Sequence, residues 1–364
     1  MTEQFTFRCT GCGREEAPSV HVLHCTDCGE PFEIEYLSPS RANAPRLPLN
    51  RPESRLSLGE GGTPAIRLPR VSEALGLAHL WAKLEFIAPT GSFKDRGTSV
   101  LISAAVEQGI REFAEDSSGN AGASLSAYAA SAGLAAHMFV PASAAAGKKA
   151  QIQIFGAELY EIEGPRSAAT APARRFVQDR KAVWLSHNLS PYFSEGMKAF
   201  AFEIADDRRL APLHIVFPVG NGSLIIGARH GYQELMTAGR VSRIPKLHAV
   251  QAEAVAPVVA EVQSRPWNDE MVQATVASGI AVSHPPRMEG IAGAVTGSGG
   301  TALAVDEGAI LHWRRKVAAE EGVFMESTSA AAFAGLERLI ASGAIHPNEE
   351  VLIAVTGSGL KEPG

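Results

Sequence analysis

The sequence predicts an α/β fold built on open parallel sheets, with a small cysteine-rich module in front of it. Three observations carry this reading. Short, continuous apolar runs at residues 136–140, 213–217, 247–250 and 351–355 alternate with helical patterns, as in parallel sheets covered on both faces. The polar and glycine-rich words of the chain all follow strands or open helices, where open α/β sheets bind ligands. All four cysteines fall within the first 28 residues.

The size and composition suit this class. A chain of 364 residues has room for two or three domains and a large core. Its 45% hydrophobic and 20% charged content is that of a soluble globular protein. A net charge of -6 and a pI near 6.0 argue against a general nucleic-acid binder. No apolar run reaches membrane-spanning length, and Met1-Thr2-Glu3-Gln4 opens no signal peptide. The expectation is a cytoplasmic protein with neither a nucleic-acid nor a membrane partner.

Residues 1–38 hold two pairs, Cys9-Thr10-Gly11-Cys12 and Cys25-Thr26-Asp27-Cys28, each followed by a glycine. This is the pattern of the two knuckles of a zinc ribbon. Four thiolates close the tetrahedral shell of Zn²⁺, so the metal expected at Cys9, Cys12, Cys25 and Cys28 is structural. The rival readings are disulfides, disfavoured in a reducing compartment, and a vacant site. His24, beside Cys25, is read as an incidental neighbour. A strand-like tail at 32–36 follows, and then a stretch at 39–56 rich in proline, serine, asparagine and arginine that reads as a linker.

The catalytic region is expected over 57–364. A strand at 79–85 leads into Pro89-Thr90-Gly91-Ser92-Phe93-Lys94-Asp95-Arg96-Gly97, and then into an amphipathic helix presenting Val100, Leu101, Ala104 and Ala105. Lys94 thus falls at a helix start, where desolvation turns an amine into a nucleophile toward carbonyls. The plainer reading is a surface lysine. Ser117-Ser118-Gly119-Asn120 opens a helix to about residue 131, whose free N–H groups suit an anion or a simple cap. Gly220-Asn221-Gly222-Ser223 joins a strand to a helix as a phosphate loop would, without the ending of a Walker A motif. The last strand runs into Thr356-Gly357-Ser358-Gly359-Leu360-Lys361. Alanine-rich stretches at 121–136 and 329–334 read as close-packed helices, and Glu326 as a cap or a pocket residue.

The words around Lys94 and Thr356, with the entry segment Gly59-Glu60-Gly61-Gly62-Thr63-Pro64, closely resemble threonine synthases. Those are pyridoxal-phosphate (PLP) enzymes of the tryptophan synthase β, or fold type II, kind. The similarity runs from about residue 56 to the end, with Glu362 where aspartate is usual. It implies two open, twisted parallel-sheet domains, with a smaller α/β subdomain at about 95–200 inserted in the larger, and a homodimer. It also implies PLP on Lys94, Asn120 near its phenolic oxygen, Gly220, Asn221, Gly222 and Ser223 at its phosphate, and Thr356 at its pyridine nitrogen. Thr90, Ser117, Ser118, Gly119 and Phe193 are then placed toward the substrate.

One stretch departs from the pattern. The better-known bacterial threonine synthases carry an arginine that helps bind the substrate phosphate; here the corresponding position in His187-Asn188-Leu189-Ser190-Pro191-Tyr192-Phe193 is Phe193. The resemblance therefore implies a PLP-dependent lyase acting on an L-amino acid, most like threonine synthase, which eliminates phosphate from O-phosphohomoserine and adds water. A threonine or serine ammonia-lyase or a β-replacement enzyme is the alternative. Two further readings are a nucleotide-binding oxidoreductase, from Gly297-Ser298-Gly299-Gly300-Thr301-Ala302, and a non-catalytic zinc-ribbon regulatory protein. Lys148, Lys149 and Arg166 are the basic residues weighed as substitutes for the missing arginine.

Overall fold

The computed structural model describes residues 5–37, 43–51, 53, 55–117, 119–164 and 166–362. The chain begins with β1 (Phe5–Cys9), β2 (Glu15–Glu16), β3 (Phe32–Tyr36), β4 (Ala65–Arg67), α1 (Pro69–Ala74) and β5 (His79–Leu84). Next come α2 (Lys94–Glu107), β6 (Glu112–Glu115), α3 (Asn120–Ala132), β7 (Ala135–Pro141), α4 (Ala146–Ile154), β8 (Glu158–Ile162), α5 (Thr170–Arg180), β9 (Val183–Trp184) and α6 (Pro191–Gly196). The remainder holds α7 (Ala199–Asp206), β10 (His214–Pro218), α8 (Ser223–Thr237), β11 (Lys246–Ala252), α9 (Pro257–Val262) and α10 (Met288–Gly297). It closes with β12 (Ala302–Val305), α11 (Glu307–Glu321), α12 (Ser327–Ala341) and β13 (Glu350–Val355). Two compact units result: residues 1–60 with 94–197, and residues 61–93 with 198–364.

In the first unit, β2-β1-β3 is an antiparallel sheet in which Cys9 pairs with Phe32 and Phe5 with Tyr36. Phe7 and Phe32 pack together beneath it, with Tyr192 of α6 edge-on to Phe7. A second, parallel sheet has the order β8-β7-β6-β9. The described residues between the ribbon and residue 57 lie along α2. The Asn50 and Arg51 N–H groups donate to Glu107, the Leu56 N–H donates to Ser103 Oγ, and Leu49 is fully buried. Polar composition concealed those anchors.

The second unit is a six-stranded sheet in the order β12-β11-β10-β13-β5-β4, parallel except for the antiparallel edge strand β4. Its strands are apolar runs because helices cover them; α12, with Ala330, Ala331, Ala332 and Ala334 buried, packs on β10, β11 and β13. The apolar runs read from the sequence at 79–85, 213–217, 247–250 and 351–355 are β5, β10, β11 and β13. Residues 288–297 form a helix, and β12 follows the glycines at 299 and 300. The order helix–glycines–strand is the reverse of a dinucleotide fingerprint, so the oxidoreductase reading fails there.

Two histidines of this sheet are buried side by side. The Thr301 N–H donates to His248 Nδ1 (3.1 Å), leaving the His248 proton on Nε2. That proton is donated to His214 Nδ1 (2.9 Å), and His214 Nε2–H then faces Glu349 (3.0 Å). Both rings are neutral in this chain of bonds. Burial, and then the repulsion that a protonated His214 would exert, pulls His248 down to about 3. Among the described residues, no helix is long and apolar enough to cross a membrane.

Candidate active site

In the second unit, the loop after β5 and the loop after β13 zip together. The Phe93 N–H donates to the Thr356 carbonyl (3.1 Å), the Ser358 N–H donates to the Gly91 carbonyl (3.1 Å), and Ser92 bridges Gly357. Thr90 and Thr356 are thereby both buried, each 2% exposed, at the carboxyl ends of adjacent parallel strands. Ser329, in the first turn of α12, fixes the terminal loop. Its Oγ accepts the Thr356 N–H (2.9 Å) and the Gly357 N–H (3.1 Å), and lies 3.0 Å from Thr356 Oγ1. With both of its lone pairs taken, the Ser329 hydroxyl donates to Thr356 Oγ1. The Thr356 proton is then aimed elsewhere, as a donor.

The loop after β10 ends at Gly222, with φ +72°, which takes the left-handed turn that opens α8. A Cβ on Gly222 would stand 2.2 Å from Ile291, so the position also has no room for one. The first backbone bond of α8 is Ile226 N–H to the Gly222 carbonyl. The N–H groups of Ser223, Leu224 and Ile225 therefore precede the ladder, at the positive end of a 15-residue helix. Ser223 Oγ is buried and has no hydrogen-bond partner among the described residues. An orphaned hydroxyl beside open helix N–H groups and a glycine turn fits a phosphate group. Gly220 is backed by Ile280 and Gly279, and the Gly279 N–H donates to Thr328 Oγ1 (3.0 Å) next to Ser329.

In the first unit, Lys94 opens α2 and Asn120 opens α3. The two helix starts are joined by Ser124 of α3, whose Oγ lies 2.6 Å from Asp95 and 2.8 Å from Thr98. Ser117 is buried and Gly119 is the backbone cap of α3; Ser118 lies outside the described residues. Lys94 Nζ stands over the ring of Phe193, 5.5 Å from its centroid. Phe193 is fully buried and meets the ring of His187 edge-on at 5.7 Å, and His187 Nδ1 lies 2.7 Å from the carboxylate of Glu115. Lys148 on α4 is buried, and α4 packs on α3. Lys149 is held by Glu161 and the Ala142 carbonyl, and nothing is described of the Arg166 side chain.

Sequence reasoning missed several of these residues. Ser329 stood in an alanine-rich helix, and the His187–Glu115 pair is 72 positions apart in the chain, so only the fold brings it together. Glu326 is the backbone N-cap of α12 without a side-chain capping bond. Its carboxylate instead lies against Gly357, where an added Cβ would stand 2.1 Å from Oε1.

The four cysteine ligand atoms lie within 4.8 Å of one another. Cys9 and Cys28 Sγ are 3.3 Å apart, and Cys12 and Cys25 Sγ 3.6 Å, close to the spacing that Zn–S bonds of about 2.3 Å require. Backbone N–H groups of Cys12 and Gly11 point at Cys9 Sγ, that of Arg14 at Cys12 and that of Glu30 at Cys28, as donors to thiolates. The donor set fits zinc. His24 is not in the cluster, its Nδ1 lying 3.1 Å from the Gly29 carbonyl.

The first unit thus carries a lysine at a helix start, and the second a phosphate-fitting loop and a hydroxyl donor at a strand end; comparison with known proteins gives the family. Residues 56–357 match the family model described as pyridoxal-phosphate dependent enzyme, and the chain belongs to this family. It is 33% identical to the threonine synthase of Methanosarcina acetivorans, over 99% of this chain and 93% of that one. It is 37% identical to the threonine synthase of Mycobacterium leprae, over 87% of each. Among solved structures, it shares the fold of a maize serine racemase (TM-score 0.71, 20% identity, 82% of this chain and 88% of that one). It likewise shares that of an L-serine ammonia-lyase from Rhizomucor miehei (TM-score 0.71, 21% identity, 81% and 93%).

Proposed function

We propose that this protein converts an O-phosphorylated L-amino acid as a threonine synthase, using PLP bound through Lys94. The observation that supports the cofactor assignment is the orphaned, buried Ser223 hydroxyl at the start of α8. On this reading Gly220, Asn221, Gly222 and Ser223 hold the cofactor phosphate, Thr356 donates to the pyridine nitrogen, and Asn120 meets the phenolic oxygen. When bound, the cofactor supplies the electron sink for loss of the leaving group. The chain supplies the rest: the Lys94 amine accepts the proton taken from the substrate, and the start of α3, with Ser117, Ser118 and Gly119, receives the substrate carboxylate. Thr90 is assigned to the substrate by the same resemblance. A hydroxyl partner, unlike a carboxylate, leaves the pyridine nitrogen largely unprotonated and suits elimination better than transamination.

Similarity to threonine synthases over nearly the whole chain supports the substrate, O-phosphohomoserine. Buried Lys148, on the helix packed against α3, is the cation proposed for its phosphate. One observation favours a second reading. Phe193 presents apolar surface where an arginine grips phosphate in the better-known enzymes, which suits a threonine or serine ammonia-lyase. The same proposal includes one structural zinc at the four cysteines, a cytoplasmic location and a homodimer.

The test is a substrate screen on purified protein with O-phosphohomoserine, threonine, serine and phosphoserine. Threonine and phosphate released from the first, with threonine itself inert, is the expected result. Ammonia from threonine or serine, with phosphohomoserine inert, overturns it in favour of the lyase. Colourless protein that takes up no PLP overturns both.

A further inference from the structure

α6 is six residues long, too short to hold a helix by its own backbone bonds, so its place is decided by what it packs against. Phe193 and Gly196, three positions apart, share the face toward α2. A Cβ on Gly97 would stand 2.6 Å from the Phe193 carbonyl, and one on Gly196 would collide with the Arg96 carbonyl. The two helices thus meet backbone to backbone, with the centre of the Phe193 ring 5.5 Å from Lys94 Nζ. Tyr192 and Glu195, also three apart, share another face, and that one meets the ribbon. The buried Tyr192 ring lies edge-on to Phe5 at 6.4 Å and to Phe7 at 5.4 Å. The Tyr36 hydroxyl donates to Glu195 Oε2 (2.6 Å). A third link runs through Gln108, which accepts the Val20 N–H (2.9 Å) and donates to the Tyr192 hydroxyl (3.2 Å).

We propose that Tyr192 and Glu195 are positioning residues, through which the metal-loaded ribbon sets the Phe193 ring beside Lys94. This rests on the readings that the cysteines hold zinc and that Lys94 is the reactive amine. The ribbon side of every link lies on a segment that the cysteines close. Phe5 and Phe7 are on β1, which ends at Cys9; Cys9 pairs with Phe32, at the start of the strand that ends at Tyr36. Val20 lies between the two cysteine pairs. A module of fewer than about 40 residues seldom folds without a metal or a cross-link, so metal binding and folding of the ribbon are one event. Loss of the ion then withdraws Phe5, Phe7 and Tyr36 from α6 and opens that face to water. Phe193, on the same short helix, is set less firmly. The metal takes no part in the chemistry and acts through the position of one helix.

The experiment uses the full-length chain freed of PLP, so it does not depend on turnover. Amide exchange is followed by mass spectrometry with zinc bound, after its removal by a chelator under reducing conditions, and after its return. Trace acetylation reads the reactivity of Lys94, with Lys246 of the second unit as reference. Removing zinc is expected to raise exchange across residues 191–197 about tenfold, and to speed acetylation of Lys94 but not of Lys246. Returning zinc should restore both. Tyr36→Phe, with its zinc retained and β1 exchanging as in the parent, should raise exchange in α6 and the reactivity of Lys94 partway. A loosened ribbon with α6 and Lys94 unchanged overturns the proposal. If the metal-free chain aggregates, Tyr36→Phe and Tyr192→Leu decide with zinc in place, and parental exchange and acetylation in both overturn it. PLP that attaches elsewhere than Lys94 defeats the proposed function and leaves these measurements readable.

Discussion

Ser329 Oγ and Thr356 Oγ1 lie 3.0 Å apart, and the two N–H groups already bonded to Ser329 decide which hydroxyl donates. The Thr356 proton is free for a ligand acceptor only because Ser329 supplies the other one. Ser329→Ala is expected to strand two buried N–H groups and cost about 1–3 kcal/mol of stability. It also releases the Thr356 hydroxyl to rotate, shifting the absorption band of bound PLP. Thr356→Ser should keep the band and Thr356→Ala should shift it. An unchanged spectrum in both Ser329→Ala and Thr356→Ala removes this pair from the site.

Ser223 separates recognition of the phosphate from recognition of the ring. Ser223→Ala removes one hydrogen bond to a charged group, worth about 1.5–3 kcal/mol, or roughly one to two orders of magnitude in affinity for PLP. Affinity for pyridoxal, which lacks the phosphate, is expected to stay the same. Equal losses for both compounds, measured by equilibrium titration of PLP-free protein, place the phosphate elsewhere.

Zinc is expected at one ion per chain by metal analysis of protein kept reduced. Cys12→Ser should lose the ion and loosen β1 and β3, because closed thiolate sites act through folding. Amide exchange then rises within residues 5–36 and stays unchanged in β10, β11 and β13. Retention of a full equivalent of zinc by this variant contradicts a four-cysteine site.

The neutral pair His214 and His248 makes the second unit sensitive to acid. The folded pKa of His248, about 3, is below its ordinary 6.5. Between those values the unfolded chain binds the extra proton and the folded one does not. Stability is therefore fully present above about pH 6.5 and falls as the pH drops toward 3, by up to a few kcal/mol. His248→Asn should flatten that slope in denaturant melts taken from pH 7 to pH 4. A slope identical to that of the parent protein assigns the acid sensitivity to other groups.

Lys148 distinguishes the substrates. Lys148→Ala should raise the KM for O-phosphohomoserine about tenfold or more while leaving any turnover of serine or threonine alone. An equal effect on phosphorylated and unphosphorylated substrates shows that the lysine holds α4 in place instead.

Local words of the sequence announced the parts that local rules govern. Apolar runs gave the strands of the second unit, the glycines at 220 and 222 marked a turn into a helix, and paired cysteines marked the ribbon. What stayed hidden depends on distant residues meeting. Ser329 looks like one more small residue of a packed helix until β13 brings Thr356 against it. His187 and Glu115 carry no shared pattern, because they meet from the ends of parallel strands and their loops. Leu49 sat in a polar stretch and is fully buried. The resemblance placed Phe193 toward the substrate without showing that its ring is fully buried on α6.

The tight seam at Gly97 and Gly196 bears on how this enzyme can be remade. An arginine at position 193 cannot simply reach outward for a phosphate, since the backbone there is pressed against α2 and the ring fills the space beneath Lys94. The exchange would bring a second cation beside the amine and empty the packing behind His187. A mutational route between the two kinds of pocket must therefore pass through 97, 187 and 193 together, and single substitutions along it are expected to be dead ends.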